Sequence, residues 1–216
     1  MKYAVIDLEM CKVPKGYKKF GYKWSQETIQ IGAVLLDEDY EIIDEFSTFV
    51  KPEFGRIDGY IENLTGISQA DIITAPSFAE ALEEFLDWIP YEDVRCVSWS
   101  ESDLKQIAHE VIAKGIEDER LEIIFANWID CQRIFGLKMG RKNAYRLEEA
   151  LIASDIIPQG RTHDGLADSY NTALLFAMLE QNPDYELNWM YRNAREEEAE
   201  HLNFTMGDLF SGIVLT

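Results

Sequence analysis

Tyr3-Ala4-Val5-Ile6-Asp7-Leu8-Glu9 lies at the start of the chain and decides its reading. Its apolar residues read as a buried strand. The run then admits Asp7 and, two residues on, Glu9. Alternate strand residues project to one face, so the two carboxylates share a face, continued into the core by Tyr3 and Val5. The plain alternative is a strand surfacing from the core with acids marking its end. An aspartate held between Ile6 and Leu8 needs more explanation than one in a turn, because a buried charge is costly unless something compensates it.

Working outward, residues 12–26 read as a long polar loop rich in lysine. Residues 28–36 and 41–50 read as second and third strands, antiparallel across the turn Asp37-Glu38-Asp39, and Pro52 stops the third. Residues 53–76 are mostly loop, with a short helix around Asp58 to Leu64. Ser77 and Glu80 form a capping box for a helix to about Trp88. Residues 94–99 read as a strand. Ser102 opens a helix to about Lys114 that Gly115 ends. Residues 121–126 read as a short strand, and 129–136 and Leu147 to Ala153 as helices. A longer helix runs from about Gly165 to Glu180, with Leu166, Tyr170, Ala173, Leu174 and Ala177 as its packing stripe. This order predicts an α/β protein. Its mixed sheet of five strands is flanked by helices, and its first three strands form an antiparallel meander.

The chain has 216 residues, 47% hydrophobic and 28% charged, enough for one domain with a substantial core. No run is long enough to span a membrane, and the short apolar opening does not read as a signal peptide. Cys11, Cys96 and Cys131 lack metal-site spacing and fit a reducing compartment. A cytoplasmic protein is the expectation. The net charge of −20 argues against broad binding to duplexes, which takes many Lys and Arg contacts to phosphates. The positive charge is nonetheless clustered. Lys12, Lys15, Lys18, Lys19 and Lys23 form one group, Lys138, Arg141, Lys142 and Arg146 another, and Arg161 stands just before His163. They read either as solvated loops or as patches flanking an acidic centre.

Two more segments carry acids worth weighing. Asp103 follows Ser102 at a helix start, where an acid also suits the helix dipole, and Glu101 competes for the same role. Asp168 lies five residues after His163, and Asp164 shares its helix face. His109 and His201, the other two histidines, read as ordinary helix and acidic-tail residues. Carboxylates from three segments can converge only with compensation. Divalent cations are the simplest form, and two of them held by carboxylates suit phosphoryl transfer.

Taken together, these segments resemble the DEDDh-type 3′→5′ exonucleases of the RNase T and DNA polymerase III epsilon-like superfamily. They are most similar to the enhanced-RNAi exonucleases and the sporulation-inhibitor KapD-like proteins. Val5-Ile6-Asp7-Leu8-Glu9 matches the first motif. Glu27 to Val34 and Phe46 to Pro52 match the next strands. Leu64-Thr65-Gly66-Ile67 and Ala75-Pro76-Ser77-Phe78 match the connection into the first large helix. Asp103 falls on the second motif, and His163, Asp168, Asn171, Thr172 and Ala173 on the third. Met10-Cys11 departs from the small or hydroxylated residues of many relatives.

The resemblance implies a ribonuclease H-like fold. It implies that Asp7, Glu9, Asp103 and Asp168 hold two divalent cations, Mg2+ or Mn2+, and that His163 is the general base. Imidazole suits that task because it ordinarily titrates near neutrality. Leu8, Met10 and Ile67 are candidates by position for seating the terminal base, with Lys12 and Arg161 as further substrate contacts. The expected partner is the 3′ end of single-stranded nucleic acid, RNA ahead of DNA. The alternatives are a DNA-directed proofreading or repair exonuclease and a catalytically idle nucleic-acid-binding protein. The resemblance covers residues 1–180, the expected exonuclease domain. Residues 181–216 form an extension expected to pack on the domain through Leu187, Trp189 and Met190. Its acidic stretch Glu196 to Glu200 reads as a solvated helix or a partner-binding face, and Phe204, Met206, Leu209, Phe210 and Ile213 as a cover for a hydrophobic surface or a homodimer contact.

Overall fold

The computed structural model describes residues 1–16, 22–139, 145–186 and 188. The expectations placed on Lys18, Lys19, Arg141 and Lys142, and on the extension from Leu187 onward, fall outside these residues.

Five strands form one sheet: β1 (Lys2–Lys12), β2 (Gln26–Leu36), β3 (Ile42–Phe49), β4 (Val94–Ser98) and β5 (Ile129–Asp130). Their spatial order is β3-β2-β1-β4-β5. β1, β2 and β3 make the expected antiparallel meander, while β4 joins β1 and β5 joins β4 in parallel. The helices are α1 (Gly59–Thr65), α2 (Gln69–Ile72), α3 (Phe78–Trp88), α4 (Ser102–Lys114), α5 (Glu119–Ala126), α6 (Cys131–Lys138), α7 (Leu147–Ala153) and α8 (Gly165–Gln181).

Side-chain alternation along β1 divides the core into two layers. Ala4, Ile6 and Leu8 pack with Phe78, Leu82, Phe85 and Leu86 of α3 and Ile107 of α4. Val5 packs on the other side with Phe135 of α6, Leu151 of α7 and Ala173, Phe176 and Leu179 of α8. β1 is therefore covered on both faces, with Glu9 buried and Asp7 half-buried. Ser77 and Glu80 form the expected capping box, and Asp58 caps α1 by accepting from the N–H groups of Tyr60 and Ile61.

Residues 121–126 are helical, not a strand. Asp118 caps α5 by accepting from the Arg120 N–H, and Leu121 and Ile124, three apart, are its buried residues. The fifth strand is the two-residue segment that follows, pairing Val97 with Ile129 and Ser98 with Asp130. Ser102 is the first residue of α4, with Glu101 in the cap position. The packing stripe of α8 is rotated from its expected place. Ser169, Thr172, Ala173, Phe176 and Leu179 are buried, whereas Leu174 and Ala177 are only half-buried. Small residues face the sheet because the start of the helix lies almost on the β2 backbone. A Cβ on Gly32 would fall 2.0 Å from the Gly165 carbonyl carbon. All three cysteines are free and buried. No helix among the described residues is long and apolar enough to cross a membrane.

Candidate active site

Asp7 stands opposite Gly32 in the β1–β2 ladder, and Glu9 opposite Gln30. The register shifts between Glu9 and Met10, a bulge of the kind that re-aims side chains beside functional sites. The Gln30 side-chain oxygen accepts from the Gly165 N–H at 3.0 Å. A Cβ on Gly165 would lie 3.1 Å from the Asp7 carbonyl oxygen. The first turn of α8, and with it Asp168, is thereby pressed against the acidic end of β1. Asp103 arrives from the opposite layer. Pairing between β1 and β4 ends at Val5, and beyond it the Leu8 N–H donates to Asp103 Oδ1 at 3.1 Å.

The four acids share one electrostatic neighbourhood. Burial raises Asp7 well above the usual carboxylate range, and the charges of Asp103, Asp168, Glu9 and Asp164 add to the effect. Glu9 is pushed up to about 8 by burial and then by Asp168, Asp103 and Asp164. Burial raises Asp103, against hydrogen bonds from the backbone of Leu8 and of Asp103 itself. Burial also raises Asp168, opposed by the His163 backbone N–H and the nearby imidazole. Among the described residues no lysine or arginine forms an ion pair with any of the four. Crowded carboxylates, two buried and two half-buried, without cationic side chains are the donor set that hard divalent cations fit. Ligand atoms of Glu9, His163 and Asp168 lie within 4.8 Å of one another.

His163 is exposed and has a φ of 62°, in the left-handed region that few side chains adopt. Its N–H donates to Asp168 Oδ2 at 2.9 Å. Asp164 then caps α8 by accepting from the N–H groups of Leu166 and Ala167. The strained residue is thus fixed to the helix that carries Asp168.

A cleft of about 780 Å³ opens over this centre. Asp7, Leu8, Glu9, His163 and Asp168 line it at one end. Tyr60 and Leu64 of α1 form one wall, and Trp99, Tyr145 and Leu151 contribute to another. Asp103 lies behind the lining, not on it. The remaining candidates divide. Leu8 lines the cleft. Met10 is half-buried and packs on the core. Ile67 is buried with Cys11, Ile29, Ile61 and Ile72, away from the cleft lining. Lys12 Nζ lies 5.1 Å from the ring centre of Tyr60, at the cleft wall. Arg161 donates to the carbonyls of Asn63 and Leu64 and does not line the cleft. Of the second basic cluster, Arg146 lines the cleft, while Lys138 donates to the carbonyls of Leu179 and Asn182.

Sequence reasoning passed over Gln30, Gly32 and Gly165, which bring α8 to β1, and the cleft residues Tyr60 and Trp99. Trp99 and Gln132 both donate to the Tyr145 carbonyl, tying that wall together. The one available signal was the pair of glycines at opposite ends of the sequence pattern, since a glycine within a strand often marks a close backbone approach.

The sheet order and the acids at its centre define a ribonuclease H-like α/β fold. The chain belongs to the exonuclease family of RNase T type, whose model matches residues 4–176. It is 34% identical over 176 residues to human ERI1 exoribonuclease 2, a match covering 70% of this chain and 25% of that one. The chain therefore spans about a quarter of that relative. The nuclease domain of 3'hExo, a DEDDh family member, bound to rAMP, superposes with a TM-score of 0.69 at 24% identity. That match covers 87% of this chain and 96% of the other. Pop2p of S. pombe, in its Mg2+ and Mn2+ bound form, gives a TM-score of 0.64 at 18% identity, over 84% of each chain.

Proposed function

We propose that the protein is a metal-dependent 3′→5′ exonuclease acting on single-stranded RNA or short oligonucleotides and releasing nucleoside 5′-monophosphates. The convergence of Asp7, Glu9, Asp103 and Asp168 beside His163, at one end of an open cleft, carries the reading. The cleft has the size of small-molecule sites and suits a terminal nucleotide.

In this reading Asp7, Glu9, Asp103 and Asp168 hold two divalent cations, Mg2+ or Mn2+. When bound, these ions offset the crowded carboxylates and stabilise charge on the attacking and leaving oxygens. His163 takes a proton from water. The water oxygen bonds to the last phosphorus, and the bond from phosphorus to the O3′ of the preceding nucleotide breaks. The leaving O3′ takes up a proton from solvent and becomes the new 3′-hydroxyl, the imidazolium returns its proton to solvent, and the released nucleotide carries the phosphate. Asp168 orients His163 through its backbone N–H. The RNA preference is supported by the similarity to ERI1 exoribonuclease 2 and to the rAMP-bound nuclease domain. Residues 1–180 serve as the exonuclease domain, a division supported by the family match and by the end of α8 at Gln181.

The test uses 5′-labelled single-stranded RNA and DNA of one sequence, with Mg2+ or Mn2+, beside Asp7→Ala protein. A ladder from the 3′ end, abolished by chelator and by the substitution, is expected, with RNA the faster strand. Faster DNA cleavage would reassign the substrate. Binding of either strand without cleavage would reduce the protein to an idle binding module.

A further inference from the structure

The segment 155–164 carries His163 and is strapped to α8. The Asn171 amide grips both sides of Gln159, accepting from its N–H at 2.8 Å and donating to its carbonyl at 2.9 Å. The His163 N–H reaches Asp168, and Asp164 caps the helix. Arg161 reaches elsewhere. Its Nη2 donates to the carbonyl oxygens of Asn63 at 2.8 Å and Leu64 at 3.4 Å, in the last turn of α1. A helix leaves such carbonyls without partners, and a cation there also suits the helix dipole.

Gly66 makes the contact sterically feasible. It adopts a φ of 78°, and a Cβ on it would meet Arg161 Nη1 at 1.9 Å. The guanidinium therefore occupies room that a glycine leaves. Tyr60 and Leu64, on α1, line the cleft. Arg161 thus binds the carbonyl of a residue whose side chain forms the cleft wall, and it stands two residues from His163.

We propose that Arg161 is a positioning residue that ties His163 to the α1 wall, so that seating of the terminal nucleotide on Tyr60 and Leu64 sets the imidazole for proton transfer. This rests on the reading of His163 as general base. The left-handed backbone at His163 needs support from its surroundings, and Arg161 supplies it from outside α8. Both contacts come from the single nitrogen Nη2, so a lysine ammonium on a different stem can replace them only where it reaches the same carbonyls.

The test compares wild type, Arg161→Ala, Arg161→Lys, His163→Ala and the Arg161→Ala/His163→Ala double variant on 5′-labelled single-stranded RNA. Thermal unfolding checks that each is folded. Arg161→Ala should lower kcat about 10²-fold, the scale of a misplaced reacting group. KM should move by less than about threefold, since little binding common to ground and transition states is lost. Lysine should rescue in part, and the double variant should be no slower than His163→Ala alone. Hydrogen exchange, read without substrate, should quicken in Arg161→Ala at the amides of 159–163. An unchanged kcat, a change in KM alone, or an additive loss in the double variant would overturn the proposal. If His163→Ala cleaved as fast as wild type, the general-base reading would fall, and this proposal with it. That result differs from an active, His163-dependent enzyme indifferent to Arg161.

Discussion

Gly32 and Gly165 meet backbone to backbone, although one lies in the second strand and the other opens the last helix. A Cβ on Gly32 would overlap the Gly165 carbonyl group and the Leu166 nitrogen, at 2.0 to 2.3 Å. Gly32 is also the ladder partner of Asp7. The contact sets how closely Asp168 approaches Asp7. Gly32→Ala should therefore cost at least about 1–3 kcal/mol, the usual scale of overpacking. It should also depress activity through misplaced carboxylates. Urea unfolding and the nuclease rate, measured on one preparation, check both.

The acidic centre gives metal-free protein a definite pH response. An acid whose folded pKa lies above its unfolded value contributes stability that is complete below the unfolded pKa and is lost as pH rises through the folded one. All four acids are raised, Glu9 to about 8. Stability in chelator should fall as pH climbs from about 4 to about 8. A flat profile across that interval, from urea titrations at several pH values, would contradict the crowding of the acids.

Asp7→Asn removes one of the mutually repelling charges. The metal-free variant should be more stable than wild type near neutrality. Mg2+ or Mn2+ should stabilise wild type by about 2.7 kcal/mol at a hundredfold excess over Kd, and the variant much less. Thermal unfolding with and without the ion separates the two effects.

His163 is exposed and makes no core contact, so His163→Ala should keep its unfolding midpoint. Its kcat should fall by about 10²–10⁴-fold, the range for loss of a general base. Single-turnover rates on labelled RNA are the measurement.

A second buried charge cluster lies on the loop side of the acidic centre, where Glu27 stands opposite Cys11 in the β1–β2 ladder. Lys114 Nζ lies 2.8 Å from Glu27 and 3.6 Å from Glu110, both almost fully buried. Glu27 also accepts from the N–H groups of Glu53, Phe54 and Gly55. Lys114→Met strands two buried carboxylates and should cost about 3–5 kcal/mol. Burial already raises Glu110, and the lysine opposes this. The loss should therefore be greater in mildly alkaline than in mildly acid urea titrations.

What the sequence revealed depended on the range of the interactions. Strands β1 to β4, the capping box at Ser77 and the Gly115 stop rest on local patterns, and each stands where its pattern placed it. Residues 121–126 misled because an apolar run such as Ile123-Ile124-Phe125 suits a strand as well as a helix, and the Asp118 cap was the deciding signal. Two-residue β5 exists only through its pairing with β4, which no local pattern encodes. The expected α8 stripe follows helical spacing from Leu166, and spacing alone does not say which face of an apolar helix meets the sheet. Its sheet-facing positions include Ser169 and Thr172, chosen for close approach. Asp7 stands out in the sequence because a charge inside an apolar run is conspicuous, whereas Asp103, Asp168 and His163 gain a role only when the segments are read together through the family resemblance. The groups that bring them together are a glutamine and two glycines, whose purpose appears only once both backbones are in place.

The ordering of these pieces also has a consequence for biosynthesis. Asp7 and Glu9 leave the ribosome early, whereas Asp168 and its helix come near the end of the described chain. At ordinary elongation rates the interval is roughly 10–30 s. A growing or prematurely released chain that stops before Thr162 carries three of the four acids and neither His163 nor Asp168. The proposed nuclease activity belongs only to chains translated past Asp168 and folded around the Gly32–Gly165 contact, and fragments that keep only the first three strands lack it.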